Sequence, residues 1–297
     1  MSTAQSTTEG PPRQLLLASD LSARCDRALD RGAQLAAAWQ AELVVLNVAT
    51  APQAPDLALA WAAGQDGAAA RRHATRQLQA DVAGLGVQAQ LRVLQGEVAD
   101  SIRDEAARSG SGLVIAGMAR DEPFGRFLVG STVQKLARTL AQPLLVVRQR
   151  CRAPYRRVLV ATDFSAASRQ ALHTALRWFP QATPTLYHAR TPRGSDAESD
   201  DTAGRLNDAL RHGECAEFLA ASELDAAQRE ALHVVIERGP LETALTHHVR
   251  AHDVELVLMG TQGRGGLMGL LLGSSAARLL DWLPCDTLVV AAAQHSS

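Results

Sequence analysis

The 297-residue chain contains few aromatic residues and few cysteines. Only 4% of its residues are Phe, Trp or Tyr, so aliphatic Ala, Leu and Val have to fill the core. The four cysteines lie far apart and form no C-x-x-C pair, which argues against a disulfide framework or a zinc knuckle and suits a reducing compartment. A formal net charge of −1 provides no overall field that would attract nucleic acid or an anionic membrane.

The chain also lacks a long uncharged apolar segment. Residues 1–13 are polar and contain no apolar core of a signal peptide. The most apolar stretch, residues 266–283, carries Arg278 and Asp281, so a membrane span is not expected. We therefore expect a cytoplasmic protein whose partners include neither nucleic acid nor a membrane.

Four landmarks in the sequence occur twice with one offset of 143 residues. They are the pairs Asp20 and Asp163, Gly96 and Gly239, Gly117 and Gly260, and Gly130 and Gly273. A shared offset of this kind predicts a duplicated domain. We place domain 1 at residues 14–149 and domain 2 at 157–297, joined by a linker over 150–156 and preceded by a disordered tail over 1–13.

In each half, short apolar runs alternate with segments of helical periodicity. The predicted strands are 15–18, 43–48, 87–94, 113–116 and 144–147, then 158–161, 185–189, 232–237, 256–259 and 287–290. The predicted helices are 23–39, which Ser22 would cap, 68–82, 98–108 and 131–140, then 166–179, 202–219, 241–250 and 274–283. The alternation predicts a doubly wound α/β fold in which each half is a parallel sheet with helices on both faces. Ligands of such sheets bind beyond the carboxyl ends of the strands.

A group of glycines follows the fourth strand of domain 2. Gly260 and Gly263 form a G-x-x-G pair, and nine residues separate Gly263 from Gly273 and Ser274. The paired glycines allow a tight turn close to a ligand, and Gly273 opens a helix whose free N–H groups suit phosphate. Asp163 ends the first strand at the same edge, and its carboxylate would repel phosphate, so we assign it to the ribose, adenine or metal end of a pocket. The alternative is a plain loop followed by a plain helix start.

Two clusters of polar residues have simpler interpretations. Residues 148–157 carry five arginines, which we interpret as a solvated connector rather than a nucleic-acid patch. His248 and His252 have the spacing of two metal ligands on a helix. No third ligand is evident beside them, so we expect a solvated helical face and no metal site.

The glycine group resembles the motif of ATP-binding members of the universal stress protein family, which is G-x-x-G, nine residues, then G-[S/T]. Residues 161–165 (Ala-Thr-Asp-Phe-Ser), 187–189 (Tyr-His-Ala) and 284–290 are similar to the first, second and terminal strands of that family. The resemblance covers nearly the whole chain twice, as in a tandem universal stress protein. It implies a five-stranded parallel sheet in the order 3-2-1-4-5 in each domain.

The resemblance also implies a set of binding residues and ATP as the ligand, with Mg²⁺ or Mn²⁺ at the phosphates as an open option. Near the base and ribose it places Thr162, Asp163 and Ala189. Around the ribose and phosphates it places Met259, Gly260, Gln262, Gly263, Gly273, Ser274 and Ser275.

Domain 1 departs from this motif because Arg120 stands where the second glycine belongs. Its side chain would either block a close backbone approach or clasp a phosphate. Asp121 and Glu122 follow and disfavour a triphosphate, so we expect a weakened or altered site in domain 1. The weaker candidates there are Asp20, Val48, Gly117, Arg120, Gly130, Ser131 and Thr132.

These features favour a nucleotide-dependent regulator of the stress response over an enzyme. Neither a P-loop nor a G-x-S-x-G elbow occurs, and no nucleophile lies beside a base. A slow ATPase or a nucleotidyl- or phosphotransferase is one alternative, and a module for another nucleotide-linked or acyl metabolite is a second. We expect the two domains to pair through their fifth strands, 144–147 and 287–290. A homodimer remains open, and the sequence names no protein partner.

Overall fold

The computed structural model of the protein describes residues 10–49, 67–118, 130–190, 200–261 and 272–291. They form two compact units, with a boundary between Pro154 and Tyr155. Domain 1 lies in the first unit and domain 2 in the second.

Domain 1 contains one parallel sheet in the order β3-β2-β1-β4-β5. Its central strand β1 pairs with β2 on one side and with β4 on the other, which confirms the expected 3-2-1-4-5 topology. The elements are β1 (Gln14–Ser19), α1 (Asp26–Trp39), β2 (Glu42–Ala49), α2 (Gly67–Val82), β3 (Ala89–Gln95), α3 (Val98–Ser109), β4 (Leu113–Gly117), α4 (Ser131–Thr139) and β5 (Leu144–Val147).

Domain 2 repeats the topology with strands in the order β8-β7-β6-β9-β10, all parallel. The elements are β6 (Arg157–Ala161), α5 (Ala166–Trp178), β7 (Thr183–Arg190), α6 (Asp200–His212), α7 (Glu214–Ala221), α8 (Ala226–Ala231), β8 (His233–Arg238), α9 (Leu241–Ala251), β9 (Leu256–Gly260), α10 (Ser274–Trp282) and β10 (Asp286–Val290).

The central strands are buried on both faces. Leu15, Leu16 and Leu17 of β1 are fully buried in succession, and so are Leu159 and Val160 of β6. Consecutive residues of a strand point to opposite faces, so layers of helices cover both sides of each sheet. This explains why the strands are continuous apolar runs without alternation.

Between β7 and β8 the helices differ from the prediction. The single helix expected over 202–219 is two helices, α6 and α7, separated at Gly213. A Cβ added to Gly213 would lie 2.9 Å from the carbonyl oxygen of Ala209, so a side chain at this position would clash with the end of α6. The short helix α8 was missed, although Asp225 and Gln228 form a capping box at its start. Within the described ranges, no helix combines the length and the apolar character needed to cross a membrane.

The segment ahead of β1 is partly fixed. Residues 1–9 of the predicted tail lie outside the described residues. The Arg13 guanidinium donates to the carbonyl of Trp39 (3.0 Å), and the Arg13 carbonyl accepts the N–H of Glu42 (2.8 Å). The folded domain therefore includes Arg13, one residue ahead of its predicted start at residue 14.

Most of the arginine-rich segment 148–157 is the solvated connector that we expected, because Arg150, Arg152, Arg156 and Arg157 are exposed. Two of its residues are buried instead. Arg148 is 1% exposed, and Tyr155 is buried with its hydroxyl donating to Asp286 (2.5 Å). The backbone N–H groups of Arg156 and Arg157 both donate to the carboxylate of Glu255 (2.7 and 2.9 Å). This segment is built into the folded units by specific contacts, which its charge alone does not indicate.

Candidate functional site

The carboxyl ends of β6, β7 and β9 meet at one edge of the domain 2 sheet. From β6 the chain proceeds to β7 on one side, and it later returns to β9 on the other side. The crevice between β6 and β9 is therefore the topological switch point, where doubly wound sheets bind ligands. The end of β6 brings Asp163 to this edge, the end of β7 brings Ala189, and the end of β9 brings Met259 and Gly260.

The start of α10 is fastened to the same edge. The N–H of Gly273 donates to the carbonyl of Thr261 (2.7 Å), which directly follows β9. Gly273 is the N-cap of α10 and makes no side-chain capping bond, and Ser274 and Ser275 are exposed in the first turn. The first N–H groups and the positive end of a helix dipole attract an anion. The other two predicted phosphate-side residues, Gln262 and Gly263, lie outside the described residues.

The first glycine of each motif is required by packing of the chain on itself. A Cβ on Gly260 would lie 2.7 Å from the carbonyl carbon of Ala167 in the first turn of α5. A Cβ on Gly117 would lie 2.8 Å from the carbonyl oxygen of Arg24, ahead of α1. The strand and the chain opposite can approach so closely only without a side chain. Packing therefore explains why glycine occupies these two positions, whether or not a ligand binds there.

Gly260→Ala is expected to lower the free energy of unfolding of domain 2 by about 1–3 kcal/mol, because the added methyl group overpacks the contact with Ala167. Chemical denaturation followed by circular dichroism measures the change. Gly204→Ala on α6 is the matched control, since a Cβ there meets nothing within 4 Å and Ala favours a helix. Equal stability of the two variants would contradict the packing role of Gly260.

The aspartate after the first strand makes the same turn in both domains. Asp20 Oδ1 accepts the backbone N–H of Ser22 (2.9 Å), and Asp163 Oδ1 accepts that of Ser165 (3.1 Å). This bond closes an Asx turn. One oxygen of each carboxylate is thus engaged by its own loop, whichever ligand the edge receives.

The residue between the aspartate and the serine has left-handed backbone geometry in both domains. Leu21 has a backbone φ of 61° and Phe164 a φ of 62°. Residues other than glycine rarely adopt this left-handed region. The N–H of Leu21 donates to the hydroxyl of Ser19 (3.1 Å), and that of Phe164 to the hydroxyl of Thr162 (2.8 Å). The hydrogen bonds on either side hold this strained turn in place.

A side chain from the second strand fixes the same turn from the other side. His188 Nδ1 lies 2.8 Å from the carbonyl oxygen of Thr162, and Asn47 Nδ2 donates to the carbonyl of Ser19 (2.9 Å). Because a carbonyl only accepts, Nδ1 of His188 must carry the hydrogen. The ring of Phe164 stacks on His188 with centroids 4.6 Å apart. Neither side chain has a role predicted from the sequence, although His188 stands inside residues 187–189, which resemble the second strand of the family.

Comparison with known proteins decides the family. Residues 12–148 and 154–291 each match the family model described as the universal stress protein family. The chain belongs to the universal stress protein family. A universal stress protein of Mycolicibacterium smegmatis is 28% identical to it, over 93% of this chain and 96% of the relative.

Two solved structures share the fold over nearly the whole chain. A universal stress protein from Archaeoglobus fulgidus superposes with a TM-score of 0.66 at 18% identity, covering 95% of this chain and 99% of its own. A functionally unknown protein of Pseudomonas aeruginosa gives a TM-score of 0.60 at 22% identity, covering 97% and 95%. A tandem of two universal stress protein domains is therefore shown.

The first universal stress protein domain differs from the second at the start of its first helix. Ser22 was predicted to cap α1, but α1 begins only at Asp26 and its N-cap residue, Cys25, makes no side-chain capping bond. In the second domain Ser165 does cap α5, accepting the N–H of Ser168 (3.3 Å). The Ser22 hydroxyl instead donates to Asp20 (2.5 Å) and accepts the backbone N–H of Arg24 (3.3 Å), ahead of the helix.

The carboxylate of Asp20 and the thiol of Cys25 share a hydrogen bond of 3.2 Å. Burial raises the pKa of Asp20, but its bonds from Ser22 and Cys25 and the charge of Arg24 outweigh burial, and the pKa is lowered. Burial chiefly raises the pKa of Cys25 to about 11, so at neutral pH the thiol is protonated and donates to Asp20. Ser168 stands at the equivalent position of domain 2 and bonds the hydroxyl of Thr162 (2.8 Å).

The remaining candidates of domain 1 lie at the equivalent edge of its sheet. Val48 is near the end of β2, and Ser131 and Thr132 open α4 behind Gly130. A Cβ on Gly130 would meet nothing within 4 Å, so packing does not require a glycine there. Arg120 lies outside the described residues.

The histidine pair at the end of α9 is only in part the solvated face that we expected, because His252, the C-cap residue, is exposed whereas His248 is not. His248 is buried, and its Nδ1 lies 2.7 Å from Glu237 Oε1, while Tyr187 donates to Glu237 Oε2 (2.9 Å). Burial, together with Glu237, strongly raises the pKa of Tyr187. The ring of His252 packs on His248 with centroids 4.3 Å apart. Nowhere in the described part of the chain do three or more His, Cys, Asp or Glu side chains form a group that could hold a metal ion.

Proposed function

We propose that domain 2 binds an adenine nucleotide, ATP first among them, and that the protein is a cytoplasmic, nucleotide-dependent regulator of the stress response rather than an enzyme. One observation carries this proposal. The switch point between β6 and β9 collects a carboxylate, the end of β7 and a helix N-terminus at one edge. These three groups differ in chemistry, and a nucleotide has a matching part for each.

The charges divide the edge into two ends. The carboxylate of Asp163 accepts hydroxyl groups and repels phosphate, so it suits the ribose. The N-terminus of α10 at Gly273, with the hydroxyls of Ser274 and Ser275, suits the phosphates. The backbone of Ala189 then lies on the base side, next to the stacked rings of His188 and Phe164. Mg²⁺ or Mn²⁺ would accompany the phosphates, and Thr162 supports the turn that positions Asp163.

Substituting the two equivalent aspartates tests this assignment in the full-length chain. Asp163→Asn keeps an oxygen for the Asx turn and loses the charge, and we expect ATP affinity to fall about tenfold, as for the loss of a charged hydrogen bond. Asp20→Asn makes the same change to the same turn in domain 1, and we expect it to leave the strong site intact. Isothermal titration with ATP and Mg²⁺ measures both, with one strong site expected per parent chain.

Two outcomes would contradict the proposal. Either the parent binds no adenine nucleotide, or Asp20→Asn weakens the strong site as much as Asp163→Asn does. Phosphate release on the scale of seconds, measured on the same preparation, would instead favour an ATPase. Mass spectrometry of any ligand that remains bound through purification identifies the nucleotide directly.

A further inference from the structure

One side chain of β7 holds the turn after β6 on both sides of its aspartate. His188 Nδ1 donates to the carbonyl of Thr162 (2.8 Å), the residue before Asp163. The ring of His188 also stacks on Phe164, the residue after Asp163, with centroids 4.6 Å apart. On α7, the ring of Phe218 contacts Phe164 with centroids 5.7 Å apart. The orientation of the turn therefore depends on His188, whatever further contacts Asp163 itself makes.

The turn needs such support because its backbone is strained. Phe164 has a φ of 62°, in a region that residues other than glycine occupy only when their surroundings hold them there. Within the turn, the N–H of Phe164 donates to Thr162 Oγ1 (2.8 Å) and that of Ser165 to Asp163 Oδ1 (3.1 Å). Both bonds join residues of the turn to each other. Contacts from other elements, such as β7, are what fix the turn against the sheet.

Domain 1 supports its turn with a different side chain at the same position. Asn47 lies opposite Ser19 in the register of β1 and β2, and its Nδ2 donates to the Ser19 carbonyl (2.9 Å). His188 lies one position beyond the last register pair of β6 and β7, opposite Thr162, which follows Ser19 by 143 residues. Two unlike side chains therefore make one bond at one place. The position requires a donor to this carbonyl rather than a histidine as such.

We propose that His188 is a positioning residue of the domain 2 site, and that its bond to Thr162 holds the turn of residues 162–165 in the orientation that receives a nucleotide. The inference rests on the proposed function for the identity of the ligand. It concerns the turn as a whole and requires no contact between His188 and the nucleotide. A loop that is already ordered binds more tightly, because less conformational entropy is lost on binding.

Hydrogen exchange of the turn amides tests the role of His188 without any ligand. The amides of Phe164 and Ser165 are hydrogen-bonded within the turn, so their exchange reports its opening. In the full-length chain, we expect His188→Ala to speed their exchange about tenfold and His188→Asn to leave it within about threefold of the parent. Asparagine retains the donor, as in domain 1. The amides of Leu21 and Ser22 are the internal reference and exchange as in the parent.

Isothermal titration with ATP and Mg²⁺ tests whether the orientation of the turn matters for binding. We expect His188→Ala to weaken ATP binding about tenfold and His188→Asn to restore most of the affinity. A rescue by asparagine distinguishes the hydrogen bond to Thr162 from the general packing of an imidazole ring.

Two control variants make the titration specific. His212 also places Nδ1 2.9 Å from a backbone carbonyl, that of Asp208, but within the exposed helix α6. We expect His212→Ala to bind ATP as the parent does. His188→Phe keeps an aromatic ring beside Phe164 but donates no hydrogen bond, and we expect it to behave like His188→Ala. The test therefore does not depend on the folding of a single variant, and circular dichroism checks each of them.

The outcomes separate this inference from the proposed function. Unchanged exchange of Phe164 and Ser165 in both His188→Ala and His188→Phe overturns the role of His188. It is also overturned if these variants bind ATP as tightly as a parent that does bind it, or if His188→Asn fails to rescue them. A parent that binds no adenine nucleotide counts against the proposed function alone. Faster exchange in His188→Ala, rescued by asparagine, would still support His188 as the residue that positions the turn.

Discussion

Gly263→Arg is expected to weaken ATP binding to domain 2 about a hundredfold while leaving thermal unfolding unchanged. The substitution places in domain 2 the residue that domain 1 carries at the equivalent position, Arg120. A glycine there admits phosphate close to the backbone, and the lost hydrogen bonds to a triphosphate would cost about 3 kcal/mol. Isothermal titration of the full-length variant measures the affinity, and calorimetry or circular dichroism measures unfolding.

Gly263→Ala is the control for this experiment, because it adds only a methyl group and separates backbone freedom from side-chain bulk. The reciprocal change, Arg120→Gly, is not expected to create a site, since Asp121 and Glu122 remain beside it. If Gly263→Arg binds ATP like the parent, the glycine is a turn residue. Arg120 would then be no reason to expect a weaker first domain.

Glu237→Ala is expected to destabilise domain 2 by about 2–5 kcal/mol. The substitution removes the acceptor of two groups at once, the hydroxyl of Tyr187 and Nδ1 of His248. Tyr187 is 0% exposed and His248 6%, whereas the Glu237 side chain is 36% exposed, so water replaces the lost carboxylate only in part. Each buried polar group left without a partner costs about 1–3 kcal/mol. Urea denaturation of the full-length chain, followed at domain 2 amides, measures the loss.

Two further variants distinguish the loss of the hydrogen-bonded cluster of Glu237, Tyr187 and His248 from the loss of a negative charge in general. Glu237→Gln keeps one acceptor oxygen and is expected to fall between Glu237→Ala and the parent. Glu230→Ala removes an exposed carboxylate from α8, and we expect a change within about 0.5 kcal/mol. A Glu237→Ala variant as stable as Glu230→Ala would show that the cluster contributes nothing to folding.

The strands of each sheet could be predicted because each strand is marked by a run of apolar residues that are adjacent in the sequence. Buried parallel strands are continuous apolar runs, and β5 (Leu144–Val147) has the predicted bounds. The order of the strands was available only through the family resemblance, since alternation of strands and helices does not select among doubly wound topologies. The placement of Asp163, Ala189 and Gly260 at one edge follows from that order.

The features that the sequence did not reveal depend on side-chain contacts that hydrophobic periodicity does not encode. His248 is buried because Glu237, on the neighbouring strand, accepts its hydrogen bond, and no helical periodicity encodes that partner. The start of α1 at Asp26 was not predicted, because the sequence does not show that the Ser22 hydroxyl bonds Asp20 and Arg24. Gly260 was interpreted as a ligand-facing glycine, and only coordinates show that the start of α5 already requires it.

The Asx turn that both domains share limits what an aspartate-x-serine signature can diagnose. Asp20 and Asp163 close the same turn with one carboxylate oxygen, although their surroundings differ. A search that scores this signature detects chain geometry and would select both halves equally. Ligand identity has to be sought in the residues that differ between the two halves, such as Arg120 against Gly263. The signature alone therefore does not indicate which half of a tandem relative binds a ligand.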